Sequence, residues 1–177
     1  MEQNVNPWKA NLTNGLIIAL IGIVFSLVMY FLDLSFNQIQ GWIFMVIQII
    51  VLFFLVKSYR DNYMHGMITF GQALGAGVII FLYYAVIMAV FTYILYAVID
   101  PDLIDKQLAF LEEKMIKKGL PEAAIEAGMK MQSKIMKPAI MAPLSIFGSM
   151  LQGLIMSLIV AAFVRKEGNP LIDTPEK

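Results

Sequence analysis

Residues 70–99 read FGQALGAGVIIFLYYAVIMAVFTYILYAVI, and none of them is Asp, Glu, Lys, Arg or His. Thirty residues in an α-helix extend about 45 Å, whereas the hydrocarbon core of a bilayer is about 30 Å thick. This stretch can therefore cross a membrane with tilt or overhang. Thr69 and Gln72 fit a capping box that begins the helix. Asp100-Pro101 ends it, because the residue before a proline disfavours helical geometry.

Three further stretches lack charged residues and histidine, namely 12–32, 34–56 and 138–164. Each is longer than the roughly 17 residues that a spanning helix needs. The chain has 177 residues and is only 15% charged, whereas soluble domains are about 25% charged. Because hydrocarbon admits only segments that satisfy their own backbone hydrogen bonds, we predict an all-α membrane protein. Its fold is a four-transmembrane-helix bundle that forms a single membrane domain over 1–177.

The predicted spans cover about 12–32, 39–56, 70–99 and 139–164. A polar arm precedes the first span, and Thr13 and Asn14 are interpreted as the residues that start its helix. We interpret this span as retained rather than cleaved, because its apolar run exceeds the usual 7–15 residues or so of a signal peptide. Residues 57–69 are expected to form a loop, and 167–177 a flexible tail.

The long connection 100–137 is predicted to be an amphipathic helical hairpin between the third and fourth spans. Its first helix carries apolar residues on one face at helical spacing. Asp100 is expected to cap that helix with Pro101 as its first residue, and Gly119 is expected to end it. Pro121 is expected to open the second helix.

The glycines of residues 70–77 allow two interpretations, a phosphate-binding loop or a thin helix surface. A phosphate loop requires a turn between a strand and a helix, together with a lysine or a helix end aimed at the anion. Neither a strand nor a nearby lysine is present in this stretch. Gly71 and Gly75 are four residues apart, a spacing that lets helix backbones approach closely in lipid. The pattern therefore favours helix packing.

Small residues recur at the same spacing on two other spans. We predict that the thin faces of the first, third and fourth spans meet in the bundle centre, or that they meet a second copy of the chain. The second span offers bulky side chains instead. The predicted packing residues are Gly15, Ala19, Gly22 and Ser26 on the first span, Gly71 and Gly75 on the third, and Ser145, Ser149, Gly153, Ser157 and Ala161 on the fourth.

The basic residues next to the spans predict the orientation of the chain. Lys57, Arg60, Arg165 and Lys166 would share one side of the membrane with the N-terminus. Because basic residues near span ends favour the cytoplasm, we expect a multi-pass protein of the bacterial inner membrane with both termini cytoplasmic. The lysines of residues 100–137 argue against this orientation, but acids lie closest to the end of the third span.

The four predicted spans contain no ionisable residue, which disfavours proton relays and ion-coupled transport. Gln48 and Gln152 are the polar residues expected to form interhelical hydrogen bonds. The chain has no cysteine, and its zero net charge implies no nucleic-acid partner. No catalytic residue, metal site or cofactor is predicted.

Two polar clusters beside the spans are candidate contacts for lipid headgroups or for a partner. Arg60 and Asp61 are interpreted as a loop ion pair or a headgroup contact. Asp100 and Asp102 are interpreted as helix-start residues, because the region lacks the glycine and the distal glutamate of a calcium loop.

The runs KSYRDNYMHGMITFGQALGAG, YAVIDPDLIDK and LIVAAFVRKEGNP resemble a bacterial membrane family, domain of unknown function 4199 (DUF4199). The resemblance extends over nearly the whole chain. Its hallmarks are the runs 59–61, 69–71 and 100–102, which read Tyr-Arg-Asp, Thr-Phe-Gly and Asp-Pro-Asp. It implies a Gram-negative inner-membrane protein with four spans, and it brings no activity, cofactor or catalytic residue.

Three functions are open at this stage. The favoured one is a non-enzymatic accessory or scaffold subunit of an inner-membrane complex, whose partners are membrane lipids and another protein or a second copy of the chain. The alternative is a small transporter or channel, which needs a polar path. The lesser alternative is a membrane-surface enzyme acting on lipid headgroups, with either polar cluster as its site.

Overall fold

A computed structural model describes residues 5–36 and 38–167 of the chain. Within these ranges the chain is helical, and the only extended pairing is an isolated antiparallel bridge between Ile68 and Lys166. The elements are α1 (Pro7–Phe31), α2 (Gln38–Tyr63), α3 (Phe70–Ile94), a π-helical turn (Leu95–Ile99), α4 (Leu103–Lys117), α5 (Glu122–Ile135) and α6 (Pro138–Val164). Four segments are long and apolar enough to cross a membrane: α1, α2, α3 with its π-helical turn, and α6. The chain is therefore a multi-pass helical membrane protein, and the predicted fold class is confirmed.

The four spans form a ring in the order α1, α3, α6, α2. The most extensive contacts join α3 to α6 and α3 to α1, while α2 closes the ring with smaller contacts. In the α3–α6 pair, Gly77 lies against Ser157 and Phe81 lies against Gly153. As the residue number rises along α3 it falls along α6, so these two helices are antiparallel.

Helix α1 begins at Pro7, before the predicted start at residue 12. The side chain of Asn6 accepts hydrogen bonds from the backbone N–H groups of Trp8 at 3.0 Å and Lys9 at 3.4 Å. Pro7 occupies the first turn, where a missing N–H costs nothing. The interpretation of Thr13 and Asn14 as helix-start residues is wrong, because this stronger cap precedes them.

Helix α2 continues to Tyr63, beyond the predicted end at residue 56. Tyr59 is buried and extends the face begun by Leu52 and Val56, so the amphipathic pattern outlasts the uncharged run. Part of the predicted loop 57–69 is therefore helix. The chain reverses just after α2, where His65 and Gly66 have φ values of 51° and 79°.

The helical segment of the third span begins at Phe70 and ends at Ile99, as predicted, but its last turn is π-helical rather than α-helical. The N–H of Gln72 donates to Thr69 Oγ1 at 3.3 Å, and the N–H of Thr69 donates to Gln72 Oε1 at 3.0 Å. These two bonds form the predicted capping box. At the other end, the N–H of Asp100 donates to the carbonyl of Leu95 at 2.9 Å, which closes a π-helical turn that no sequence pattern predicted.

The connection between the third and fourth spans is a helical hairpin, as predicted. Gly119 ends α4 with a φ of 70°, a left-handed conformation that glycine adopts without steric cost. Met115 of α4 lies against Gly128 of α5. The expectation that Asp100 caps α4 is wrong: Asp102 occupies the cap position and makes no side-chain cap bond. The predicted tail lies outside the described residues beyond Glu167.

Candidate functional site

Glycines bring α3 and α6 into close contact. A Cβ atom built at Gly153 would lie 2.3 Å from Cγ of Phe81, and one at Gly77 would lie 2.5 Å from Oγ of Ser157. Ser157 and Ala161 are buried in the same interface. Since real Cβ atoms do not approach so closely, the helix separation at this interface depends on the absent side chains.

Helix α1 meets α3 in the same manner. A Cβ at Gly15 would lie 2.4 Å from Cβ of Tyr83, and one at Gly22 would lie 2.9 Å from Cε2 of Tyr84. Ala19 is buried between these two glycines. Aromatic side chains of α3 therefore rest directly on the backbone of α1.

Gly71 and Gly75 are placed differently. Both are exposed, and no atom lies within 4 Å of a Cβ built at either position. Among the residues that the structure describes, no side chain packs on these two glycines, and Gly77 makes the close approach instead. The physical reason is the rotation of α3, which turns Ala73 and Ala76 inward.

The remaining predicted packing residues lie at the border of the bundle. Ser26, Ser145 and Ser149 are each half-buried. The hydroxyl of Ser145 donates to the carbonyl of Ala142 at 2.7 Å, and Ser26 faces a small cavity described below.

Amide side chains of the spans form two hydrogen-bonded pairs. Gln152 Nε2 of α6 donates to Gln48 Oε1 of α2 at 3.1 Å, which confirms the predicted interhelical hydrogen bond. Asn14 Nδ2 donates to Asn11 Oδ1 at 3.1 Å, and both residues are buried. Sequence reasoning missed this second pair because it placed Asn11 in the polar arm rather than in helix α1. The Asn6-Pro7 cap signal could have corrected that placement.

Arg60 connects the end of α2 to the end of α6. Its Nε lies 2.7 Å from Asp61 Oδ1, and a terminal nitrogen donates to the carbonyl of Val164 at 3.1 Å. That carbonyl belongs to the last turn of α6, where carbonyls lack helical partners. Arg60 therefore has a structural partner in addition to the predicted ion pair, whereas a headgroup contact stays a prediction.

Asp100 and Asp102 lie at the opposite end of the bundle and do not act together. The carboxylate of Asp100 accepts a hydrogen bond from the hydroxyl of Tyr30 at 3.1 Å and lies 3.5 Å from Lys106 Nζ. Asp102 is exposed. In the described part of the chain, no group of three or more His, Cys, Asp or Glu residues could hold a metal ion.

Two hollows open at this same end. The smaller has a volume of about 200 Å³, and its polar lining residues are Ser26, Ser35, Gln40, Thr92 and Tyr96. The larger, which we name the α4 groove, has a volume of about 680 Å³ and lies between α4 and the turn that joins α1 to α2. The α4 groove is lined by Asp33, Leu34, Phe36, Ile39, Phe110, Glu113, Lys114 and Lys117.

Comparison with known proteins gives a family and no activity. A family model described as "Protein of unknown function (DUF4199)" matches residues 13–166, nearly the whole chain. No curated protein and no solved structure matches the chain.

Proposed function

We propose that the chain, which belongs to the DUF4199 family of proteins of unknown function, is a non-enzymatic accessory or scaffold subunit of a bacterial inner-membrane complex. The observation that carries this proposal is the open surface of α3 at Gly71 and Gly75. Both glycines are exposed, and no atom of the described residues 5–36 and 38–167 fills the space beside them.

A helix surface that lacks side chains is suited to close packing against another helix. Association in lipid gains from close van der Waals packing, and residues of the small-xxx-small type let two backbones approach. Gly71 and Gly75 provide that spacing on a face that the bundle leaves open. The partner is a spanning helix of another protein or of a second copy of the chain.

The glycine surface has a direct test in the double variant Gly71→Leu/Gly75→Leu. We expect this variant to reduce recovery of the partner or of the dimer about tenfold, equivalent to about 1.4 kcal/mol. The monomer should keep its unfolding midpoint, because no atom of the described residues lies beside either position. The measurement is crosslinking in native membranes, followed by purification in mild detergent and mass spectrometry.

Gly148 provides the matched control for this experiment. It is also exposed, with no atom within 4 Å of a built Cβ, but it lies on α6. Gly148→Leu is expected to leave recovery unchanged. Equal recovery of every partner from the double variant and the unaltered chain would contradict the proposed surface.

The charge distribution supports a proposed orientation. Lys57, Arg60, Arg165 and Lys166 lie at the bundle end that holds the contact between Arg60 and Val164. Because basic residues next to spans favour the cytoplasmic side, we place this end and both termini in the cytoplasm.

A phosphatase reporter that is active only outside the cytoplasm tests this orientation. Inserted after Gly119, in the turn between α4 and α5, it is expected to be active. Inserted after Gly66, between α2 and α3, it is expected to be inactive. The reverse pattern of activities in whole cells would invert the orientation.

A further inference from the structure

The α4 groove lies where the chain leaves the membrane. One wall is the turn between two spans, since α1 ends at Phe31 and the next span begins at Ile39. The other wall is α4, whose Phe110 stacks on Phe36 with ring centroids 5.9 Å apart. Phe31 and Ile39 are both strongly exposed on the spans beside the groove. Because it lies at the ends of two spans, we expect the groove to face the interface between hydrocarbon and headgroups.

The lining of the groove divides by chemistry. Leu34, Phe36, Ile39 and Phe110 make its interior apolar. Its volume of about 680 Å³ falls within the roughly 300–1,000 Å³ typical of ligand sites. An occupant of this interior must have an apolar portion.

The rim of the groove carries charges of both signs. Lys114 and Lys117 come from α4, on the same helical face as Phe110 because residues three and four apart are neighbours. Asp33 comes from the turn between the spans, and Glu113 lies 2.5 Å from Lys117. Lys114 makes no ion pair within the described residues. An occupant that matches this rim carries both an anionic and a cationic group.

We propose that the α4 groove binds a phospholipid with an ammonium headgroup, phosphatidylethanolamine. Its phosphate is held by Lys114 and Lys117, and its ammonium donates to the carboxylates of Asp33 and Glu113. The glycerol and the first methylenes of an acyl chain cover the apolar interior. A choline headgroup lacks N–H donors for the carboxylates, and a glycerol headgroup lacks the cation. The site goes beyond the proposed subunit function and is independent of the glycine surface on α3.

Native mass spectrometry of the full chain tests the lipid preference. The delipidated protein in mild detergent is titrated with phosphatidylethanolamine, phosphatidylcholine and phosphatidylglycerol of identical acyl chains. We expect phosphatidylethanolamine to bind about tenfold more tightly than either of the other lipids. Equal binding of the three lipids, or preference for phosphatidylglycerol, would overturn the proposal.

Variants of the rim locate the bound lipid. Lys114→Gln/Lys117→Gln is expected to weaken phosphatidylethanolamine binding about tenfold. The matched control, Lys118→Gln/Lys130→Gln, removes the same charge from two exposed hairpin lysines outside the groove and is expected to have no effect. Unchanged binding by the first variant would place the lipid elsewhere.

The carboxylates are tested by Asp33→Asn/Glu113→Gln. Asparagine suits position 33, where φ is 54°, because it tolerates the left-handed region. This variant is expected to bind phosphatidylethanolamine and phosphatidylcholine equally, and a retained preference would refute the ammonium contact. Circular dichroism and lipid-free unfolding verify that all variants fold. Partner recovery with Gly71→Leu/Gly75→Leu is a separate measurement, so the lipid site and the glycine surface on α3 can be refuted independently.

Discussion

Replacing Gly153 with leucine is expected to prevent α6 from docking on α3, and alanine at the same position is expected to lower the free energy of unfolding by about 1–3 kcal/mol. The added Cβ alone would lie 2.3 Å, 2.5 Å and 2.6 Å from Cγ, Cβ and Cδ1 of Phe81. Phe81 is completely buried, so its ring cannot turn aside into lipid. The α3–α6 contact is the most extensive of the bundle, so its loss affects the whole fold.

Equilibrium unfolding in mixed micelles measures this effect, and Gly148 again supplies the control on the same helix. Because Gly148 is open, Gly148→Ala should be neutral or stabilising, as alanine exceeds glycine in helix propensity by about 1 kcal/mol. Phe81→Ala/Gly153→Ala should lose less stability than the sum of the two single variants, since the smaller side chain frees the overlapped space. Equal stability of Gly153→Ala and Gly148→Ala would refute the close contact.

The fold class was predictable because the uncharged runs are long. A run such as 70–99 satisfies its own backbone only as a helix, and its length requires a membrane. The helix bounds were less predictable, because charge marks the edge of the hydrocarbon and not the end of a helix. Pro7 starts α1 inside a segment interpreted as a polar arm, and Tyr59 continues α2 past Lys57.

The rotation of each span could not be predicted from spacing alone. Helix α3 is apolar on every side, so its sequence does not indicate which glycines face α6. The structure places Gly77 at that interface and leaves Gly71 and Gly75 open. Small-residue spacing therefore indicates a surface capable of packing, while the choice among such surfaces is made by side chains on the partner helix, such as Phe81.

The α4 groove and the contact of Asp100 could not be predicted from the sequence for a different reason. The α4 groove combines a turn near Asp33 with a helix near Lys114, and no periodicity relates segments so far apart in the chain. Asp100 shows the same limitation. Its local sequence indicates a helix cap, whereas its carboxylate accepts a hydrogen bond from Tyr30 at the end of α1.

Replacing Gln152 with leucine is expected to lower the free energy of unfolding by about 1–2 kcal/mol. Gln48 is only 1% exposed, and the substitution removes the Gln152 amide from which Gln48 Oε1 accepts a hydrogen bond at 3.1 Å. Gln48→Leu should cost less, because the amide that it leaves behind, on Gln152, is only half-buried. Removing both amides eliminates the unpaired group, so Gln48→Leu/Gln152→Leu should be close to the unaltered chain.

This double-mutant cycle separates a specific interhelical bond from two independent polar residues. If the bond joins α2 to α6, the two single variants together lose more free energy of unfolding than the double variant does. Gln152→Leu, which leaves Gln48 unpaired, loses more than Gln48→Leu. Additive losses in mixed-micelle unfolding would mean that the two amides do not interact. A double variant as stable as the unaltered chain, as expected here, would imply that the pair fixes the register of α2 on α6 rather than their affinity, because leucine packs well in lipid but has no directional partner.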